Sequence, residues 1–171
     1  MAQPPGARLG IVANVFEPEW DAEQDRAPFT WKRARLGHQA GSQKLGASLY
    51  ELAPGGSSFP LHIHHANEEL LLVLTGTPTL RTIDAERELA PGELVACPTG
   101  RSGAHRLDNR TDEPVQVLIM STMIAPELAE YPDSGKIWTK SSPPGGEVGP
   151  DDVGLIARFE DKVDYFEGEA D

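Results

Sequence analysis

Among 171 residues there is a single cysteine, Cys97, so no intrachain disulfide can form and nothing marks the chain for an oxidising compartment. Long apolar runs are also missing. The longest purely aliphatic stretch, residues 70–74, falls far short of the ~20 residues that span a bilayer, and the first ten residues carry no charged-then-apolar leader pattern. Basic residues are scarce. Lys and Arg number 15 against 27 Asp and Glu, leaving a net charge of −12, the wrong sign for neutralising nucleic-acid phosphates or anionic lipid. A cytoplasmic protein with no nucleic-acid and no membrane partner is expected, and the sequon at Asn109-Arg110-Thr111 is then incidental. Two enzyme signatures are lacking as well: there is no GxSxG elbow, and Ser134-Gly135-Lys136 has no upstream glycine of a phosphate-binding loop.

What the chain does have is a series of short β-prone runs. Residues 47–52, 59–64, 69–74, 78–83, 87–89, 94–97, 105–107 and 115–121 are separated by Pro, Gly, Asn and Asp clusters, with almost no helical periodicity. This spacing predicts an antiparallel sandwich or barrel with one packed core. The run Leu70-Leu71-Leu72-Val73-Leu74 is apolar at both parities, so both faces of that strand should be covered, the outer one by a second sheet or a homodimer partner. Residues 1–10 read as loose, 11–16 as an edge strand, and 17–46 as a polar arm over the core, anchored by Trp20, Phe29 and Trp31. Arg33, Arg35, His38 and Lys44 lie in that arm. They could face an anionic substrate, although a solvated surface is the simpler expectation. After residue 123, we expect helical turns within 124–131, a strand entering through Trp138, a flexible Pro/Gly-rich stretch over 141–152, and late strands at 153–159 and 163–166.

The chemistry concentrates in residues 56–76, GSSFPLHIHHANEELLLVLTG. In an extended strand His62 and His64 point to one face, and a reversal through residues 65–68 brings Glu69 alongside them. His65 has the opposite parity and should face outward. Glu68 competes with Glu69, but the gap to Gly76 favours Glu69. Two imidazoles and a carboxylate on one sheet face suit a divalent transition metal. Cys97 reads as a small buried hydrophobe rather than a ligand.

A second motif follows at residues 92–105, GELVACPTGRSGAH, with Asn109 beyond it. Together the two motifs resemble the cupin superfamily, in particular small single-domain bacterial cupins of the conserved-barrel type. The first half of the family pattern is matched by Gly56, His62, His64, Glu69 and Gly76, and the second by Gly92, Pro98, Gly100, His105 and Asn109. One departure is visible: residues 101–104 stand between Gly100 and His105, where the family usually has two residues. The resemblance implies an all-β double-stranded β-helix, or jelly-roll barrel, over residues 47–123, with an N-terminal arm at 1–46 and a C-terminal extension at 124–171. The extension is expected to pack on the barrel or cross to a partner subunit, or else to cap the pocket.

The resemblance also implies one divalent transition metal per chain (Fe, Mn, Ni, Zn or Cu) on His62, His64, Glu69 and His105. Such a set leaves open positions for a small-molecule ligand, water or dioxygen. Oxygenase, isomerase or lyase chemistry is implied, oxygenase foremost, with a metal-bearing binding or sensor protein as the alternative. Cupin lyases of one kind carry a tyrosine two residues after the metal-binding glutamate, and Leu71 stands there, which counts against that reaction. Tyr50 and Arg81 are substrate-pocket candidates, and a homodimer is expected.

Overall fold

Strands make up nearly every regular element of the computed structural model, which describes residues 11–145 and 149–169. The expectation for residues 1–10, and part of that for 141–152, lies outside the described residues. In chain order the elements are β1 (Ala22–Arg26), β2 (Phe29–Ala34), one helical turn α1 (Leu36–Gln39), β3 (Leu45–Leu52), β4 (Ile63–His64), β5 (Glu69–Thr75) and β6 (Thr79–Arg81). There follow β7 (Glu86–Glu88), β8 (Leu94–Cys97), β9 (Arg106–Asp108), β10 (Val115–Thr122), β11 (Glu127–Tyr131), β12 (Lys136–Lys140) and β13 (Gly154–Arg158). They form three antiparallel sheets in the orders β1-β2-β3-β10-β5-β8, β13-β12-β11-β4 and β7-β6-β9. The fold is the expected jelly roll, with no continuous hydrogen-bonded ring joining the sheets. Among the described residues no helix is long and apolar enough to cross a membrane.

Side-chain parity decides which face is core. On β5, Leu71 and Val73 are buried, and on β10 so are Val115, Val117 and Ile119. The register sets Val117 opposite Val73 and Ile119 opposite Leu71, and Leu52, Leu80, Leu89, Cys97 and Leu107 close the same cluster. The other parity of β5 faces outward. Leu74 is packed with Leu118 near Ala34, Leu36 and Leu49, while Leu70 and Met120 border an open groove with Leu45, itself 64% exposed.

Several expectations are corrected. Residues 17–46 are not an arm lying over the core, because β1 and β2 continue the main sheet, with Trp31 registered on Leu52 and Arg33 on Tyr50. The segment looked polar because β1, at the sheet edge, and β2 beside it turn Glu23, Asp25 and Lys32 to solvent. Residues 11–16 form no strand, and Ile11 and Phe16 are exposed. The helical turns expected within 124–131 are instead β11, which has two strands to pair with, β4 and β12. The run at 59–64 is strand only at Ile63–His64, and 163–166 is exposed and forms no strand.

Candidate metal centre

The two motifs are stitched together at their histidines. His105 N–H donates to the His62 carbonyl (3.1 Å) and His62 N–H to the His105 carbonyl (3.3 Å), so the two side chains start from neighbouring backbone. Glu69 opens β5 and registers on Cys97 of β8 and Ser121 of β10, which sets its carboxylate against the histidine pair. The longer loop before His105 is absorbed by a tight turn. Gly100 takes a positive φ of 81°, Arg101–Gly103 forms one 3₁₀ turn, and Gly103 lies so close to Pro98 that an added Cβ would sit 1.7 Å from the Pro98 carbonyl oxygen. Asn109 is buried, and its amide donates to the carbonyls of Leu52, Ala53 and Glu113, pinning the strand exit beyond His105. That burial also leaves the sequon asparagine no access to a modifying enzyme.

His62, Glu69 and His105 each offer a ligand atom within 4.8 Å of the others. His105 Nε2 lies 3.0 Å from Glu69 Oε2, and His64 joins through its Nε2, 3.1 Å from His62 Nε2 and 3.6 Å from Glu69 Oε2. The opposite ring nitrogens settle the tautomers. His62 Nδ1 is 2.9 Å from the Pro60 carbonyl and His105 Nδ1 is 2.8 Å from the Gly103 carbonyl. A carbonyl oxygen only accepts, so both Nδ1 atoms carry a hydrogen; a neutral ring then has its Nε2 lone pair facing inward, while a protonated His105 donates from Nε2 to Glu69. His64 Nδ1 lies 3.5 Å from the Glu127 carboxylate and makes no hydrogen bond among the described residues.

Lone pairs and a carboxylate packed this closely repel one another unless a cation lies among them. Two donors ~2.1 Å from one ion, at angles between square and tetrahedral, sit ~3.0–3.4 Å apart, close to the separations here, so the residues fit a divalent metal. Burial would raise the Glu69 carboxyl, but the hydrogen bond from His105 and the neighbouring imidazoles outweigh it and bring the carboxyl down to about 2. His62 is pushed down to about 3 by burial and by His105 and His64. Burial opposes charge on His105 too, yet Cys97 and Glu69 outweigh it and carry it up to about 10. The cluster therefore calls for one positive charge, a proton on His105 or a metal ion shared by the set.

One cavity is lined by two of the cluster's histidines, and a second lies across Phe59, which belongs to both walls. The smaller, about 170 Å³, is lined by Phe59, Pro60, His62, His64, Tyr131 and Trp138. The larger, about 350 Å³, is lined by Arg35, His38, Ser48, Tyr50, Phe59, Ile119, Ser121 and Pro143 among others. Tyr50 is thus in a cavity wall, edge-on to Trp31 and Phe59, its hydroxyl pushed up to about 12 by burial against the pull of Arg33. Arg81 lines neither cavity. Its guanidinium is committed to Asp133 at 2.5 and 2.9 Å, because its place on β6 turns it toward the loop before β12. His65 faces outward onto Glu130, and Glu68 borders the outer groove.

Sequence reasoning missed Glu127, Tyr131 and Trp138. Glu127 and Tyr131 lie on β11, Trp138 on β12, and no motif marks any of them. The only usable signal was the alternation of Glu127, Ala129 and Tyr131, which fits a strand as well as a short helix. Arg35 and His38 were noticed but not placed, since their route to the cavity runs through the β2–α1 connection.

A Cupin domain model matches residues 48–121. None of the curated proteins compared matches the chain. A sugar phosphate isomerase of the cupin superfamily from Silicibacter pomeroyi superposes with a TM-score of 0.72 at 24% identity, covering 87% of this chain and 93% of that one. A candidate sugar phosphate isomerase from Acidithiobacillus ferrooxidans gives a TM-score of 0.70 at 23% identity, covering 86% and 88%. A predicted oxalate decarboxylase from Thermotoga maritima gives 0.55 at 17% identity, covering 66% of this chain and 99% of that one. At these identities the likeness is one of fold.

Proposed function

Through residues 48–121 the chain belongs to the cupin superfamily, and on that premise we propose that it is a metal-dependent isomerase of a small phosphorylated sugar. The observation that supports the reading is the close grouping of His62, Glu69 and His105, with His64 beside them, next to the cavity that His62 and His64 line. His62, His64, Glu69 and His105 would hold one divalent ion, which when bound supplies Lewis-acid polarisation of a substrate carbonyl or hydroxyl. The surrounding residues support a hydroxylated, anionic substrate. In a chain of net charge −12, the larger cavity brings together Arg35 and His38 with the hydroxyls of Ser48, Tyr50 and Ser121. Among the described residues the Arg35 guanidinium contacts Asp21 through Nε alone, at 3.4 Å, leaving its other donors for an anionic group. On the other side Tyr131, kept protonated by burial and by Glu127, offers a donor to a substrate oxygen.

Isomerisation is preferred to the oxygenase chemistry first expected because two solved structures that match over more than four-fifths of each chain are described as sugar phosphate isomerases. The test uses full-length protein loaded separately with Mn, Fe, Co, Ni and Zn. Deuterium exchange at carbon 2 of aldose phosphates and at carbon 1 of ketose phosphates, followed by proton NMR, should appear with at least one metal and one sugar phosphate. Absence of exchange and of product across the panel would sink the isomerase reading. Oxygen uptake with the same panel would redirect it to an oxygenase.

A further inference from the structure

Glu127 is a carboxylate with no exposed side-chain surface, placed by a strand outside the cupin core. A buried anion is costly unless its oxygens are filled with donors, and these are. Asn67 donates to one oxygen through a short hydrogen bond, and the backbone N–H of Leu128 donates to the other at 2.9 Å, with that of Ala66 at 3.5 Å. Asn67, itself fully buried, is held in turn by the backbone of Ile124 and by Thr122. The remaining neighbour is His64 Nδ1, 3.5 Å from Glu127 Oε2. That nitrogen is buried and makes no hydrogen bond among the described residues, so the Glu127 carboxylate is an acceptor set beside an unpartnered ring nitrogen. The approach is enforced by backbone pairing: β11 is hydrogen-bonded to β4 with Ala129 opposite His64, and His65 N–H donates to the Leu128 carbonyl.

We infer that Glu127 is a positioning residue, which holds the proton of His64 on Nδ1 so that Nε2 faces Glu69 and His62 as a lone pair. The inference deepens the metal reading and rests on it for its purpose, though not for its geometry. His62 and His105 are oriented by carbonyls of their own motifs, two residues away in each case. His64 has no such local acceptor, and the C-terminal extension supplies one. A carboxylate there does more than a carbonyl, because its charge strengthens the N–H contact and makes the imidazole a better donor to a cation. On this account β11 is part of the metal centre rather than a cover for it.

The purely structural alternative is that Glu127 only ties the loop at Asn67 to the extension. Nitrogen-15 NMR of the imidazoles in metal-free, full-length protein separates the two. His64 is expected as the Nδ1–H tautomer at neutral pH, and that population should fall in Glu127→Gln. Co(II) and Zn(II) affinity should fall about 10- to 100-fold in the same variant, with partial recovery in Glu127→Asp. A wild-type His64 protonated on Nε2 would overturn the inference without any variant. So would a folded Glu127→Gln protein that keeps both tautomer and affinity. Should the wild type bind neither ion, the metal reading fails while the tautomer still decides the role of Glu127.

Discussion

The cupin core and the β11–β12 hairpin meet at one imidazole, and they contribute to it differently. The core, residues 48–121, supplies the converging atoms of His62, Glu69 and His105 with His64 beside them, and orients two of its histidines with carbonyls from the same short motifs. The hairpin supplies no converging atom. It brings a buried carboxylate behind His64 and two aromatic rings, Tyr131 and Trp138, over the cavity in front of it. A ligand set can be written into a local motif because strand parity aims the side chains. The groups that tune and enclose it need only arrive at the right place, so they come from wherever the chain passes next.

The comparison predicts a graded set of losses. Removing the core contribution with His62→Ala and His64→Ala together should abolish metal retention in elemental analysis, with the far-ultraviolet dichroism of a β protein intact; undiminished metal content would place the ion elsewhere. Glu127→Gln, the hairpin contribution, should weaken metal binding without eliminating it. Gly103→Val tests whether the tight turn aims His105: overpacking against Pro98 should cost about 1–3 kcal/mol in chemical denaturation and lower metal affinity. Unchanged stability and affinity would mean that the loop yields freely. Tyr131→Phe should leave metal stoichiometry alone and reduce kcat about 10-fold, the value of one hydrogen bond to a charged oxygen. Full activity would remove Tyr131 from the substrate contacts.

The smallest effect lies far from the hairpin, at Asp21. Burial would raise its carboxyl, but the Arg35 backbone N–H and the Arg33 and Arg35 guanidiniums hold it below the usual range. A depressed carboxyl stabilises the fold above its ordinary pKa and loses that contribution as pH falls toward the folded value. Asp21→Asn should therefore flatten the acid limb of stability against pH by no more than about 1 kcal/mol. A larger change would show that the β1–β2 edge depends on this one ion cluster.

Legibility followed the range of the interactions. Residues 94–97 and 115–121 were readable as strands because turn residues bracket short β-branched runs, and β8 and β10 lie there. His62, His64 and Glu69 were readable because a strand period of two turns spacing into direction. The β1–β2 edge was not readable, since solvent on one face removes the hydrophobic signal, and residues 127–131 were ambiguous because five residues suit a helical turn as well as a strand. Arg81 shows the reverse error: a plausible residue type on a predicted strand, committed in the fold to Asp133, a partner 52 residues away.

By itself the sequence determined the all-β class, the two motifs and the side chains capable of meeting at a metal, because all of these depend on periodicity and turn chemistry within a few residues. Only the tertiary structure decided that the ligand atoms of His62, Glu69 and His105 converge, with His64 Nε2 beside the first two, and that Arg35 joins Tyr50 in one cavity wall. It alone decided, too, that a glutamate from β11 stands behind His64. These are contacts between segments far apart in the chain, set by sheet order and register, and a linear pattern carries neither.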